Sequence, residues 1–198
     1  MIKFVYFDLG GVVDLDFSKT NKYDEMKTAI GVSPSQSQRF DNWFDNIESD
    51  LCIGKIDFDL EYENIKLTLA NFVDRFYPNP SIYPIIDIIH QNCKIGLLTN
   101  MYPGMYNSIL DKKIIPDINW DIVIDSSVVG LEKPDPKIYK LAEELAGVGG
   151  SEILFVENTL KNIEMAKNFD WQTFLYDPSN PEKSSQDLLK WFDEKIKS

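Results

Sequence analysis

The sequence is short of the residues that make covalent or metal-bound scaffolds. It has two cysteines, Cys52 and Cys93, and a single histidine, His90. The cysteines are far apart and lack metal-ligand spacing, so free thiols are expected rather than a disulfide framework. His90 falls in an isoleucine-rich run over 85–91 and reads as a packed or surface residue, not as a ligand or base. Basic residues are also scarce: 20 Lys and Arg stand against 32 Asp and Glu, a formal charge of −12. Such a chain is repelled by phosphate backbones and anionic membrane surfaces, which argues against nucleic acid and membrane as partners. An anionic small substrate fits only if the site gathers its own cations. Long apolar runs are missing too, and the opening stretch carries Asp8, unlike a signal peptide. A soluble cytoplasmic protein is expected.

What the chain does hold is core-forming material. Hydrophobic residues make up 43% of 198 residues, which suits one domain, or one domain with a sizeable insertion. Its organising stretch runs from Lys3 to Val13. The apolar, β-branched and aromatic opening suits a buried strand of a parallel sheet. That run meets Asp8, then Gly10 and Gly11. Asp and Gly are common turn formers. A charge ending a buried strand, beside glycines that admit close backbone approach, also suits a binding site.

Asp14-Leu15-Asp16-Phe17 reads as a short hairpin or flap. Over about 19–75, Phe40, Trp43, Phe44, Ile47, Leu51, Leu60, Ile65, Leu69, Phe72, Val73 and Phe76 recur mainly at helical spacing. Ser33-Pro34 marks a helix start and Gly54 a break, so an all-helical insertion is expected, its aromatics serving as packing. Tyr77-Pro78-Asn79-Pro80 reads as a linker. Beyond it helices are expected over 82–91, 102–110, 136–146, 160–169 and 184–196. Strands are expected over 94–99, 120–125, 153–156 and 173–176. This alternation implies an α/β fold, a Rossmann-like parallel sheet with helices on both faces. The domain division is a core of 1–16 and 78–198 with a helical cap of 17–77.

Such sheets bind ligands at the carboxyl ends of their strands. There the sequence places Asp8, then Thr99-Asn100, then Lys133 within Gly130–Pro136, then Glu157-Asn158. Singly, each has a plain structural explanation: Thr99-Asn100 caps a helix, and Lys133 is a solvated lysine. Jointly they fit phosphoryl transfer. A carboxylate attacks phosphorus to give an aspartyl-phosphate, and cations such as Lys133 and Mg²⁺ offset the meeting of two anions. Thr99 and the backbone N–H groups near Gly10 and Gly11 can donate to the phosphoryl oxygens.

The ordered motifs Asp8-Leu9-Gly10-Gly11-Val12, Leu97-Leu98-Thr99-Asn100, Lys133-Pro134-Asp135-Pro136-Lys137-Ile138-Tyr139 and Ile153-Leu154-Phe155-Val156-Glu157-Asn158, with Asn162 beyond, resemble the haloacid dehalogenase (HAD) superfamily. The likeness spans most of the chain outside the insertion and points to the phosphatase-like branch with a small helical cap. It implies Asp8 as nucleophile and Mg²⁺ ligand, with the Gly10 carbonyl as a second ligand. It implies phosphoryl binding by Gly10, Gly11, Thr99, Asn100 and Lys133, further metal contacts from Glu157 and Asn158, and a supporting Asn162. The implied substrate is a small phosphorylated metabolite.

Two positions depart from the family pattern. Gly10 stands where most members carry a second aspartate as general acid and base, a role worth roughly 10²–10⁴-fold. Asp14 or Asp16 would be the nearest substitutes. Asn158 stands where a second acid is usual and removes a negative charge from the metal motif. These departures favour an alternative, a catalytically weak or inactive member that binds a phosphorylated ligand or a protein partner. A metal-free haloacid dehalogenase is a further alternative, although that branch typically has an aromatic residue in place of Gly10. No readable motif encodes the substrate or the oligomeric state.

Overall fold

The computed structural model describes residues 1–15 and 22–196. Five parallel strands make the central sheet: β1 (Phe4–Phe7), β6 (Lys94–Thr99), β7 (Ile122–Asp125), β8 (Ile153–Glu157) and β9 (Gln172–Leu175). Their spatial order is β7-β6-β1-β8-β9, so the order reverses at β1. Val5 lies opposite Ile95 on one side and Leu154 on the other.

Alternation along the strands divides the core. Val5, Phe7, Ile95, Leu97, Leu154 and Val156 face one apolar cluster, while Phe4, Tyr6, Leu98, Ile153 and Phe155 face the other. A parallel sheet covered on both faces needs apolar residues at every strand position, which is why β1 reads as a continuous run. Each fully buried large apolar side chain contributes roughly 1.5–3 kcal/mol. The covering helices are α4 (Tyr83–His90), α5 (Met105–Asp111), α7 (Pro136–Ala146), α8 (Leu160–Lys167) and α9 (Pro181–Ile196), with a one-turn α6 (Ser126–Val129) after β7. The α/β parallel-sheet class expected from the sequence is the observed one.

The inserted segment holds α1 (Lys22–Ala29), α2 (Ser37–Cys52) and α3 (Leu69–Val73). It is not all-helical, as the apolar spacing had suggested. An antiparallel hairpin, β3 (Asp59–Tyr62) and β4 (Ile65–Thr68), stands between α2 and α3, with Leu60 paired to Leu67 and Tyr62 to Ile65. The i, i+4 relation of Ile65 to Leu69 hides the alternation of Ile65 and Leu67, both buried with exposed Lys66 between them. Glu63 at φ +55° makes the turn. The hairpin expected at 14–17 and the linker expected at 77–80 are also revised. Asp14–Leu15 (β2) pairs antiparallel with Tyr77–Pro78 (β5), closing the insertion at its root. Asp16 and Phe17 lie outside the described residues.

The insertion packs directly on the sheet's end. Phe44 of α2 stacks on Phe72 of α3 with ring centroids 6.0 Å apart, and Phe58 stacks on Tyr102 of the β6 loop at 5.2 Å. At Gly54 (φ +68°) a Cβ would lie 2.1 Å from the Ser127 carbonyl oxygen, so only glycine allows the α2 exit to touch α6.

Candidate active site

The strand-end residues converge where the strand order reverses, the usual ligand crevice of an open α/β sheet. Asp8 follows β1, Thr99 ends β6 and Glu157 ends β8. Lys133 reaches the same point from the loop between α6 and α7. Its ammonium lies 2.9 Å from Asp8 Oδ1 and 2.8 Å from Glu157 Oε2.

Local capping aims that loop. Asp125 Oδ1 accepts from the Ser127 N–H and starts α6, and Gly130 closes it in the left-handed region. Asp135 accepts from the Lys137 N–H and starts α7, with Pro136 at its first position. Between these caps, Asn100 grips the Lys133 backbone from both sides. Its Oδ1 accepts from the Lys133 N–H at 2.8 Å, and its Nδ2 donates to the Lys133 carbonyl at 2.9 Å.

Glu157 is fully buried and its hydrogen bonding is filled. Oε1 accepts from the N–H groups of Asn158 and Thr159, and Oε2 from Lys133 and from Asn162 Nδ2 at 3.0 Å. Burial alone would raise its pKa. The Lys133 charge and these donors more than offset that and hold Glu157 below the usual carboxylate range. Asp8 behaves oppositely. Burial, with the Glu157 charge adding and Lys133 opposing, pushes its carboxyl up to about 7. Burial also disfavours the Lys133 ammonium, yet the two carboxylates hold its pKa above the ordinary value. Asp8 Oδ1 accepts from Lys133 and from the Leu9 N–H, while Oδ2 has no hydrogen-bond partner among the described residues.

A cavity of about 420 Å³ opens above this cluster. Asp8, Gly10, Thr99, Asn100, Lys133, Asn158 and Asn162 line it, so most of the anticipated site residues share one wall. Glu157 stands behind Lys133 instead. Gly11 supports the wall: at φ +80°, a Cβ there would lie 2.2 Å from Asn158 Nδ2. Asp14, one suggested proton donor, is buried in β2 away from the cavity lining. His90 pairs with Asp121 at 3.3 Å beside Lys94, at the far end of the sheet.

The opposite wall was not anticipated. It includes Glu48, Phe72 and Phe76 of the insertion and Met101, Tyr102 and Met105 after β6. The sequence carried one signal for it. Positions 40, 44, 48 and 52 share one stripe of α2, and Glu48 interrupts a stripe otherwise filled by buried Phe40, Phe44 and Cys52.

Among the described residues, no group of three or more His, Cys, Asp or Glu side chains is placed to enclose a metal ion. Mg²⁺ asks for less, because one or two carboxylates, neutral oxygens and substrate phosphate suffice. Asp8, the Gly10 backbone and the Asn158 amide, all lining the cavity, provide a sparse all-oxygen set that fits such an ion. No helix among the described residues is long and apolar enough to cross a membrane.

Comparison with known proteins identifies the family. The haloacid dehalogenase-like hydrolase family model matches residues 2–170. The chain belongs to that family of hydrolases. It is 26% identical over 151 residues to pyrimidine 5'-nucleotidase YjjG of Escherichia coli, covering 74% of this chain and 62% of that protein. It is 34% identical over 76 residues to (S)-2-haloacid dehalogenase of Xanthobacter autotrophicus, covering 38% and 30%. The matches thus span less than two thirds of these relatives' lengths. Among solved structures, a HAD family enzyme of Bacteroides thetaiotaomicron superposes with a TM-score of 0.74 at 18% identity, covering 88% of this chain and 93% of that one. The same enzyme has been solved with magnesium and inorganic phosphate.

Proposed function

We propose that this chain is a Mg²⁺-dependent phosphomonoester hydrolase acting on a small phosphorylated metabolite through an aspartyl-phosphate on Asp8. The observation that carries the reading is the buried Asp8–Lys133–Glu157 cluster opening onto the cavity. Asp8 Oδ1 is already engaged, which leaves the lone pairs of Oδ2 for phosphorus. As the oxygen–phosphorus bond forms, the ester bond breaks, and the departing oxygen takes a proton from water. Water then attacks the acyl-phosphate, releasing inorganic phosphate and restoring Asp8.

Lys133 offsets the approach of two anions and Thr99 donates to the phosphoryl group. In this reading Glu157 and Asn100 are positioning residues: one holds the Lys133 ammonium and the other its backbone. Mg²⁺, held by Asp8, the Gly10 carbonyl and Asn158, would supply positive charge for the phosphoryl oxygens. Residues 17–77 act as a cap over a core of 1–16 and 78–198. The nucleotidase relative and the magnesium–phosphate complex of the structural relative support phosphate ester chemistry.

A panel of phosphomonoesters, assayed with and without Mg²⁺, tests this. Phosphate release should need both Mg²⁺ and Asp8, and Asp8→Asn should lower it by at least about 10³-fold, the scale of losing a nucleophile. Full activity of Asp8→Asn would sink the reading. The second reading, a weak enzyme that mainly binds a phosphorylated ligand, draws on Gly10, which brings no carboxylic acid to the leaving group. Robust turnover of any unactivated alkyl phosphate removes it.

A further inference from the structure

The wall opposite the phosphoryl cluster carries chemistry of its own. Of the residues lining the cavity, those contributed by the insertion are two phenyl rings, Phe72 and Phe76, and one carboxylate, Glu48. Tyr102, three residues after Thr99, joins them. Its ring crosses that of Phe72 at 66° with centroids 5.3 Å apart, and its hydroxyl donates to Glu48 Oε1 at 3.0 Å. Tyr102 is buried and Glu48 exposed, so the carboxylate sits at the cavity rim with its base against the aromatic wall.

The position of Glu48 is unusual for packing. On α2 it follows Phe40 and Phe44 at intervals of four, on the face that otherwise turns to the core. A charge in that stripe is tolerated because the stripe faces a cavity there. One Glu48 oxygen is taken by Tyr102, and Oε2 has no partner among the described residues. The other cation lining the cavity, Lys161, precedes Asn162 in the first turn of α8, on the core rather than on the insertion.

We propose that Glu48, held by Tyr102, is a specificity-determining residue that selects a phosphomonoester whose organic group is flat, apolar and tipped with a hydrogen-bond donor. The rings take the flat group, the free Glu48 oxygen accepts its N–H or O–H, and the same charge disfavours a substrate with a second anionic group at that end. The assignment rests on the phosphatase reading above.

The test compares 4-aminophenyl phosphate with 4-carboxyphenyl phosphate for wild type, Glu48→Gln and Tyr102→Phe. The quantity read is the ratio of kcat/KM values, with inhibition by inorganic phosphate as the control because that ion has no organic group. Glu48→Gln should lower the amino-to-carboxy ratio about tenfold, the scale of one charge-assisted hydrogen bond. Its phosphate inhibition constant should stay within about threefold, a shift of roughly 0.7 kcal/mol. Tyr102→Phe, which keeps the carboxylate but frees it to turn, should lower the ratio by less than Glu48→Gln does. An unchanged ratio in Glu48→Gln, or a phosphate constant that moves as much as the ratio, overturns the inference while leaving the hydrolase reading intact. Absence of turnover by folded wild-type protein overturns both.

Discussion

The two sides of the reaction centre are built to different standards. Around Lys133 the polar groups are densely paired: two carboxylates meet the ammonium, Asn100 clasps the backbone, and Glu157 takes four donors. Around Gly10 and Asn158 the wall offers a backbone group and a neutral amide. A densely paired buried network is rigid, and removing one member leaves an uncompensated charge. The Lys133 side is therefore fixed by the fold itself. The side of Gly10 and Asn158 has no such network among the described residues.

Breaking the stronger side should have the largest effect. Lys133→Met strands Asp8 and Glu157 together, and should lower unfolding free energy by about 3–5 kcal/mol, the usual cost of removing one partner from a buried ion pair. Denaturant titration reads this directly. A variant as stable as wild type would show that the cluster is not the locked element described here.

Strengthening the weaker side comes next. Asn158→Asp adds a charge among oxygen ligands and should tighten Mg²⁺ binding about tenfold, or ~1.4 kcal/mol. Calorimetric titration with Mg²⁺ alone measures it without requiring turnover. Equal affinity in both proteins would remove Asn158 from the ligand set.

A further effect is in pH dependence. The folded pKa of Asp8, about 7, lies above the ordinary 3.8. The folded chain therefore holds this proton more tightly, and the stability it contributes is full below about pH 3.8 and lost as pH rises through about 7. Asp8→Asn abolishes that loss. In metal-free buffer the variant should gain on wild type from acid to alkaline pH, each kcal/mol raising Tm by roughly 2–4 °C. A Tm difference that stays flat with pH would mean that Asp8 titrates as an ordinary carboxyl.

The same division governs what could be read from the sequence. Strand-end residues were legible because a parallel sheet forces continuous apolar runs, and a charge ending such a run, as Asp8 and Glu157 do, stands out. The α/β order was legible from alternation of the two periods. The hairpin at 59–68 was not, because Ile65 and Leu69 mimic one helical face while Leu67 alone betrays the strand. Glu157 was legible as an acid at the right place, but not its orientation. That depends on Lys133, 24 residues earlier, and on Asn162. Glu48 and Tyr102 lie 54 positions apart, and their meeting follows from how the insertion folds back over β6.

Asp8 is proposed to form a covalent bond to phosphorus, and trapping that bond is the decisive experiment. The protein would be mixed with Mg²⁺ and radiolabelled phosphomonoester, quenched in acid and digested to peptides. Label confined to the peptide containing Asp8, and absent from Asp8→Asn, is the predicted result. Turnover with no labelled peptide under rapid quench, or label on another residue, would contradict the account.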